Sequence, residues 1–170
     1  MCLPHRDQDP VMILYAHYYL ASDLMYSNYK KLVDKSNKSG GLSQDDKVQL
    51  SIFFCTWIGF LAVTSEGFKK LIVRKLLKEN RPNEFEELIP KADSLGKLMN
   101  THKDDLRRFR NNVFHLRENT EDFERFIDSQ PNRLEWAEKL QATLGEFFSL
   151  YRVISQVHYA INNRKEELLL

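Results

Sequence analysis

From Leu134 to Ile161 the apolar residues Leu134, Ala137, Leu140, Leu144, Phe147, Tyr151, Ile154 and Ile161 recur at helical spacing, and no proline interrupts them. A stripe with that period is one face of a long α-helix; a strand would alternate with period two. Asn132, with Glu135 three residues later, supplies a start signal for it. A second stripe, Leu14, Tyr18, Ala21, Met25, Tyr29 and Leu32, predicts a helix from Pro10 to about Lys35, since proline suits a first helical turn. Helices this long bury one face only against other helices. The pattern therefore predicts an all-α, up-and-down bundle with antiparallel neighbours.

The remaining chain fits that class. "SNKSGG" reads as a flexible loop, and Ser43 with Asp46 opens a second helix. That helix carries the apolar run Leu50–Ser65 and extends toward Glu79, with a bend expected near Gly67. "ENRPN" breaks it. A short helix is expected over Asn83–Leu88, stopped before Pro90, then a loosely patterned connector to about Thr101. A third long element follows. "ENTEDFERFIDSQP" reads as a turn, a short helix and a stop.

The 170 residues predict a single domain, 1–170, with residues 1–9 as a flexible N-terminus. Net charge is +1, so affinity for nucleic acid would have to come from a local patch. Cys2 and Cys55 form no CxxC pair, which favours a reducing, cytoplasmic setting. The N-terminus has no apolar segment ahead of its charges, so no secretory signal is expected. The Leu50–Ser65 run is shorter than the ~18 residues of a membrane span, so a buried helix is expected, with no membrane partner.

His5, His17, His102, His115 and His158 include no pair at i,i+3 or i,i+4, and no HExxH is present. Neither a metal nor another cofactor is expected. His158 lies on the apolar stripe of the last helix and reads as a hydrogen-bonded core histidine. Glu66 ends an apolar stretch, and a carboxylate there needs a partner, most simply a cation on a neighbouring helix.

"LRRFRNNVFHLRE", Leu106–Glu118, concentrates four arginines, two asparagines and a histidine on one helix. At about 100° per residue, Leu106, Phe109, Val113 and Leu116 share one side. Asn111 and His115 are i,i+4 neighbours on another, and Arg108 shares their face. Histidine moves protons near neutral pH, and a guanidinium matches phosphate oxygens. The plain alternative is a solvated helix face.

"RNNVFH", Arg110–His115, resembles the R-x4-6-H motif of the HEPN (higher eukaryotes and prokaryotes nucleotide-binding) superfamily, where a polar residue, often asparagine, follows the arginine; here it is Asn111. "WIGFLAVTSEGFKKL", Trp57–Leu71, is similar to the second-helix stretch of bacterial proteins that carry an RNxVFH segment downstream. The resemblance spans Leu50 to Tyr151 and implies an HEPN-like bundle with the motif on a late helix.

It also implies a metal-independent endoribonuclease that leaves a 2′,3′-cyclic phosphate and acts as a homodimer with a composite site. His115 would be the general acid or base, Arg110 would stabilise charge on the scissile phosphate, and Asn111 would position it. Lys103, Arg107, Arg108 and Arg117 would form an RNA- or phosphate-binding patch. Many such ribonucleases are toxins, with an antitoxin protein as partner, or phage-defence effectors. Other members are non-catalytic modules that dimerise and bind a nucleotide or a protein.

Arg108 with His115, and Arg152 with His158, satisfy the same spacing. Asn111 and the position ahead of the terminal helix single out Arg110. Yet ideal geometry turns Arg110 roughly 140° away from His115, toward the apolar side. Two arrangements stay open. Either Arg110 reaches the histidine of a second copy, or it pairs with a carboxylate such as Glu66 while Arg108 serves the site.

Overall fold

The computed structural model describes residues 2–114, 124, 126–128 and 132–168. Every regular element among them is helical. The first rod comprises α1 (Pro10–Leu14), a π-helical turn (Tyr15–Tyr19) and α2 (Leu20–Ser39). There follow α3 (Gln44–Lys70), α4 (Val73–Glu79), α5 (Ile89–Thr101), α6 (Lys103–Phe114) and α7 (Arg133–Ile161). Short 3-10 turns cover Arg6–Gln8, Asn83–Leu88 and Lys165–Glu167.

The capping signals act as their chemistry requires. The Asp9 carboxylate accepts from the Val11 amide ahead of Pro10. Ser43 Oγ accepts from the Asp46 amide, and Asn132 Oδ1 from the Glu135 amide. Each fills one of the amides a helix start leaves unpaired.

The first rod and α3 form an antiparallel hairpin: Leu14 lies at Gly67, Tyr26 and Tyr29 pack their rings on Trp57, and Lys35 reaches Asp46. Along α7 the rod also runs antiparallel, with Tyr15 on Phe148, Ser22 on Gln141 and Lys30 on Glu138. The Asn83–Leu88 turn and α5 cover the opposite side of α7, from Glu84 at His158 to Leu98 at Trp136. Trp57, Ile58, Leu61, Leu77, Phe85, Leu140, Leu144 and Phe147 fill the centre. One polar crossing threads it: Gln141 Oε1 accepts from Ser22 Oγ at 2.7 Å and from Trp57 Nε1 at 3.1 Å, tying α2, α3 and α7.

Several expectations are revised. The first helix runs to Ser39 and ends on Gly40, whose φ of 72° gives a left-handed cap. Helix α3 passes through Gly67 and breaks later, at Leu71–Ile72. Gly67 serves close approach instead of bending: a Cβ there would stand 2.4 Å from Leu14 Cδ1. The segment before Thr101 is a regular helix, with Pro90 in its first turn, where its missing amide costs nothing. Its inner face is Ala92, Leu95 and Met99.

Residues 2–9, expected to be flexible, are tied to the bundle at particular points, while Cys2, His5, Asp7 and Gln8 stay exposed. Leu3 and Asp9 are buried, Tyr159 donates to the Pro4 carbonyl, and the Arg6 amide donates to Glu167. The physical reason is a buried ionic node. Asp9, 0% exposed, takes Arg81 Nη2 at 2.9 Å and the Tyr151 hydroxyl at 2.7 Å. Arg81 Nε also donates to that hydroxyl, at 2.7 Å. Burial, reinforced by Asp9, pushes the Tyr151 hydroxyl far above its ordinary pKa, so it stays a donor.

Among the described residues α3 alone is long and apolar enough to cross a membrane. Here its Phe54, Trp57, Ile58, Leu61 and Ala62 are buried in the bundle, while Val48 and Ile52 are exposed.

Candidate functional site

Helix α6 lies against α3, with Leu106 and Phe109 as its buried anchors. The Phe109 ring meets Phe54 edge-on and packs beside Phe126. Near the end of α6, Phe114 packs edge-on against Phe60, and its ring lies over Gly59. The polar residues are thus carried outward by an aromatic anchor at either end of the segment.

Arg110 stands at the α3–α6 boundary. Its Nη1 donates to Glu66 Oε2 at 2.8 Å. Its Nε and Nη2 both donate to Asn111 Oδ1, at 3.2 and 2.7 Å. The guanidinium is held by two acceptors and still has a side chain 29% exposed, with Glu66 at 44%. The arrangement orients a planar cation at the surface, with N–H edge remaining for an incoming oxygen.

Lys103, Arg107 and Arg110 sit at i, i+4 and i+7 and share the edge that faces α3. Arg107 makes a long, exposed pair with Asp104 at 3.5 Å. Lys103 and Arg108 are exposed and form no ion pair with a described residue. Arg108 lies on the adjoining face with Asn111. The structure therefore brings Arg110, Asn111, Arg107 and Lys103 into one neighbourhood with Glu66. His115 and Arg117 lie outside the described residues.

Lys69, one turn along α3 from Glu66, belongs to the same surface and was not singled out by the sequence. Its ammonium is held below its ordinary pKa, first by burial and then by the charge of Lys103. It donates to Asn100 Oδ1 at 2.8 Å. The available signal was the three-residue step from Glu66 to Lys69, which puts both on one helix face. His158 accepts the role expected of it: Nδ1 meets Glu84 Oε1 at 2.6 Å.

Among the described residues no group of three or more His, Cys, Asp or Glu side chains converges as a metal site. Comparisons with family models, with curated proteins and with solved structures find no match to this chain.

Proposed function

We propose that this bundle is of the HEPN type and that it is a metal-independent endoribonuclease whose motif helix is α6. The observation that carries the reading is the Arg110 guanidinium, oriented by Glu66 and Asn111 yet open to solvent, on the helix edge that also carries Lys103 and Arg107. Arg110 binds the scissile phosphate and stabilises the charge that develops on it. Asn111 fixes the guanidinium plane. His115 moves the proton between the ribose 2′-hydroxyl and the leaving 5′-oxygen, leaving a 2′,3′-cyclic phosphate. Lys103, Arg107, Arg108 and Arg117 hold the strand by its phosphates. The active species is a homodimer in which Arg110 of one copy serves His115 of the other. The HEPN resemblance, and not the chemistry, suggests a toxin or phage-defence role with an antitoxin as protein partner.

Purified protein is expected to cleave single-stranded RNA in EDTA, and His115→Ala to abolish cleavage with helicity unchanged. Cleavage that persists in that variant, or that needs Mg²⁺, rejects the mechanism.

The Glu66 ion pair favours a second reading. A carboxylate 2.8 Å from Arg110 neutralises much of its charge. In this reading Arg110 ties α6 to α3, and the remaining cations bind a nucleotide or protein partner without cleavage. A protein that binds RNA but leaves it intact in every buffer supports it.

A further inference from the structure

A cleft of about 480 Å³ opens between the α3–α4 junction and α5. That lies within the ~300–1,000 Å³ range of small-ligand sites. Phe68, Val73 and Ala92 make its apolar side, and Lys69, Arg74, Lys97 and one carboxylate, Asp93, stand at its rim.

Two features shape the cleft. Gly96 sits mid-helix in α5, where glycine weakens a helix relative to alanine. A Cβ on it would meet nothing within 4 Å, and its backbone is ordinarily helical, so neither contact nor conformation demands glycine. What the missing side chain does is leave the cleft open. Ile72, at the lip, is a β-branched residue with φ 47° and ψ 54°, and it is 61% exposed. Its left-handed backbone makes the turn that ends α3 and begins α4, at the edge of the cleft.

The rim is cationic beyond its local needs. Lys69 donates to the neutral Asn100 amide with Glu66 and Asp104 acting on it at longer range, Lys97 forms no ion pair with a described residue, and Arg74 shares Asp93 at 3.4 Å. Lys103, outside the cleft, also acts on Lys69, and the carboxylates of Asp104 and Glu66 oppose it. A smaller cleft that also contains Lys69 continues past Lys103 and Arg107 to Glu66, the partner of Arg110.

We infer that this cleft binds a nucleoside phosphate, with the phosphate among Lys69, Lys97 and Arg74 and the base on the apolar side that Gly96 keeps open beneath Ile72. The ligand is either one nucleotide of an RNA strand that runs on from α6 or a free nucleotide. The first source rests on the RNA-facing reading of α6 proposed above; the pocket itself does not.

The test titrates the full chain with AMP, with inorganic phosphate and with a labelled single-stranded oligoribonucleotide, in wild type, Gly96→Leu and Lys97→Ala. Gly96→Leu fills the cleft from an open position and should keep or raise the melting temperature. It is expected to weaken AMP binding by roughly tenfold or more. Lys97→Ala is expected to weaken it less and, if RNA is the ligand, to reduce the salt dependence of RNA binding by about 0.7 in log–log slope.

Loss of both AMP and RNA affinity in Gly96→Leu supports an RNA subsite. Loss of AMP affinity alone, with RNA binding and cleavage intact, supports a free-nucleotide site. Loss of AMP affinity in a protein that never binds RNA rejects the reading of α6 and keeps the cleft. Three results overturn the inference: no AMP binding to wild type, AMP affinity unchanged in folded Gly96→Leu, or inorganic phosphate binding as tightly as AMP.

Discussion

Glu66 of α3 accepts a 2.8 Å hydrogen bond from Arg110 of α6, and both side chains remain partly in water. Partial exposure limits what the pair can contribute. Ion pairs of this kind are worth about 0.2–1 kcal/mol, because solvent screens them and two long side chains lose freedom. The pair therefore aims Arg110 far more than it stabilises the bundle.

Arg110→Ala should accordingly lower Tm by no more than about 2–4 °C, the shift expected for 1 kcal/mol in a chain of this size. RNA cleavage should be lost in the same variant. Calorimetry and a cleavage assay on one preparation decide the matter. An unfolded Arg110→Ala, together with an inactive but stable Arg108→Ala, moves the catalytic assignment to Arg108.

The buried node behaves differently. Asp9 is wholly enclosed and is held by Arg81 and Tyr151. Arg81→Ala strands a carboxylate out of water, and removing one partner of a buried pair costs about 3–5 kcal/mol. Urea unfolding should show that loss, several times larger than for Arg110→Ala. A change under about 1 kcal/mol would show that water reaches Asp9 and replaces the guanidinium.

Besides Asp46, which Lys35 and Ser43 hold down, two carboxylates lie below their ordinary values. Glu84 lies below its ordinary value of 4.5 mainly because its own backbone amide donates to it, with burial opposing and His158 adding. At Glu167 burial acts upward most strongly, but the Arg6 amide, Arg164 and His5 outweigh it. Both folded-state values are depressed, so the stability they supply is complete above 4.5 and disappears as pH falls through the lower, folded-state values. Tm should fall below about pH 4.5, and Glu84→Gln with Glu167→Gln should flatten that fall. An unchanged acid slope in the double variant removes these two groups as its cause.

Two glycines of helical backbone should respond with opposite sign. Gly67→Ala forces a methyl to within 2.4 Å of Leu14 Cδ1, in a packed seam. Overpacking of that kind costs about 1–3 kcal/mol. Gly96→Ala meets nothing and should gain about 0.5–1 kcal/mol from helix propensity. Chemical denaturation of both variants reads the contrast directly, and equal signs would contradict the packing described for one of them.

The long helices were legible because their stripes repeat over many turns and their caps carry Ser43, Asn132 and Pro10. Helix α5 was not, because Pro90 read as a stop and the stretch after it as loosely patterned; Ala92, Leu95 and Met99, at steps of three and four, were the weaker signal. The contact of Glu66 with Arg110 was within reach of helical geometry, which turned Arg110 toward the apolar side and left Glu66 as a carboxylate needing a partner. The Asp9–Arg81–Tyr151 node was not, since it joins residues about 70 positions apart with no local pattern. The cleft escaped with α5, whose glycine matters only once a neighbouring helix is in place.

The Arg6 amide on Glu167, and the Pro4 carbonyl under Tyr159, bring residues 4–6 beside residues 159–167. The Arg6–Gln8 and Lys165–Glu167 turns are therefore covalent strangers but spatial neighbours. A short linker can join them, and the chain can be reopened between Gly40 and Gly41, where an added Cβ meets nothing within 4 Å. The order in which the helices are synthesised is thus separable from the order in which they pack. A circular permutant beginning at Gly41 should keep every helix in place, with α3 leading the chain and α2 closing it.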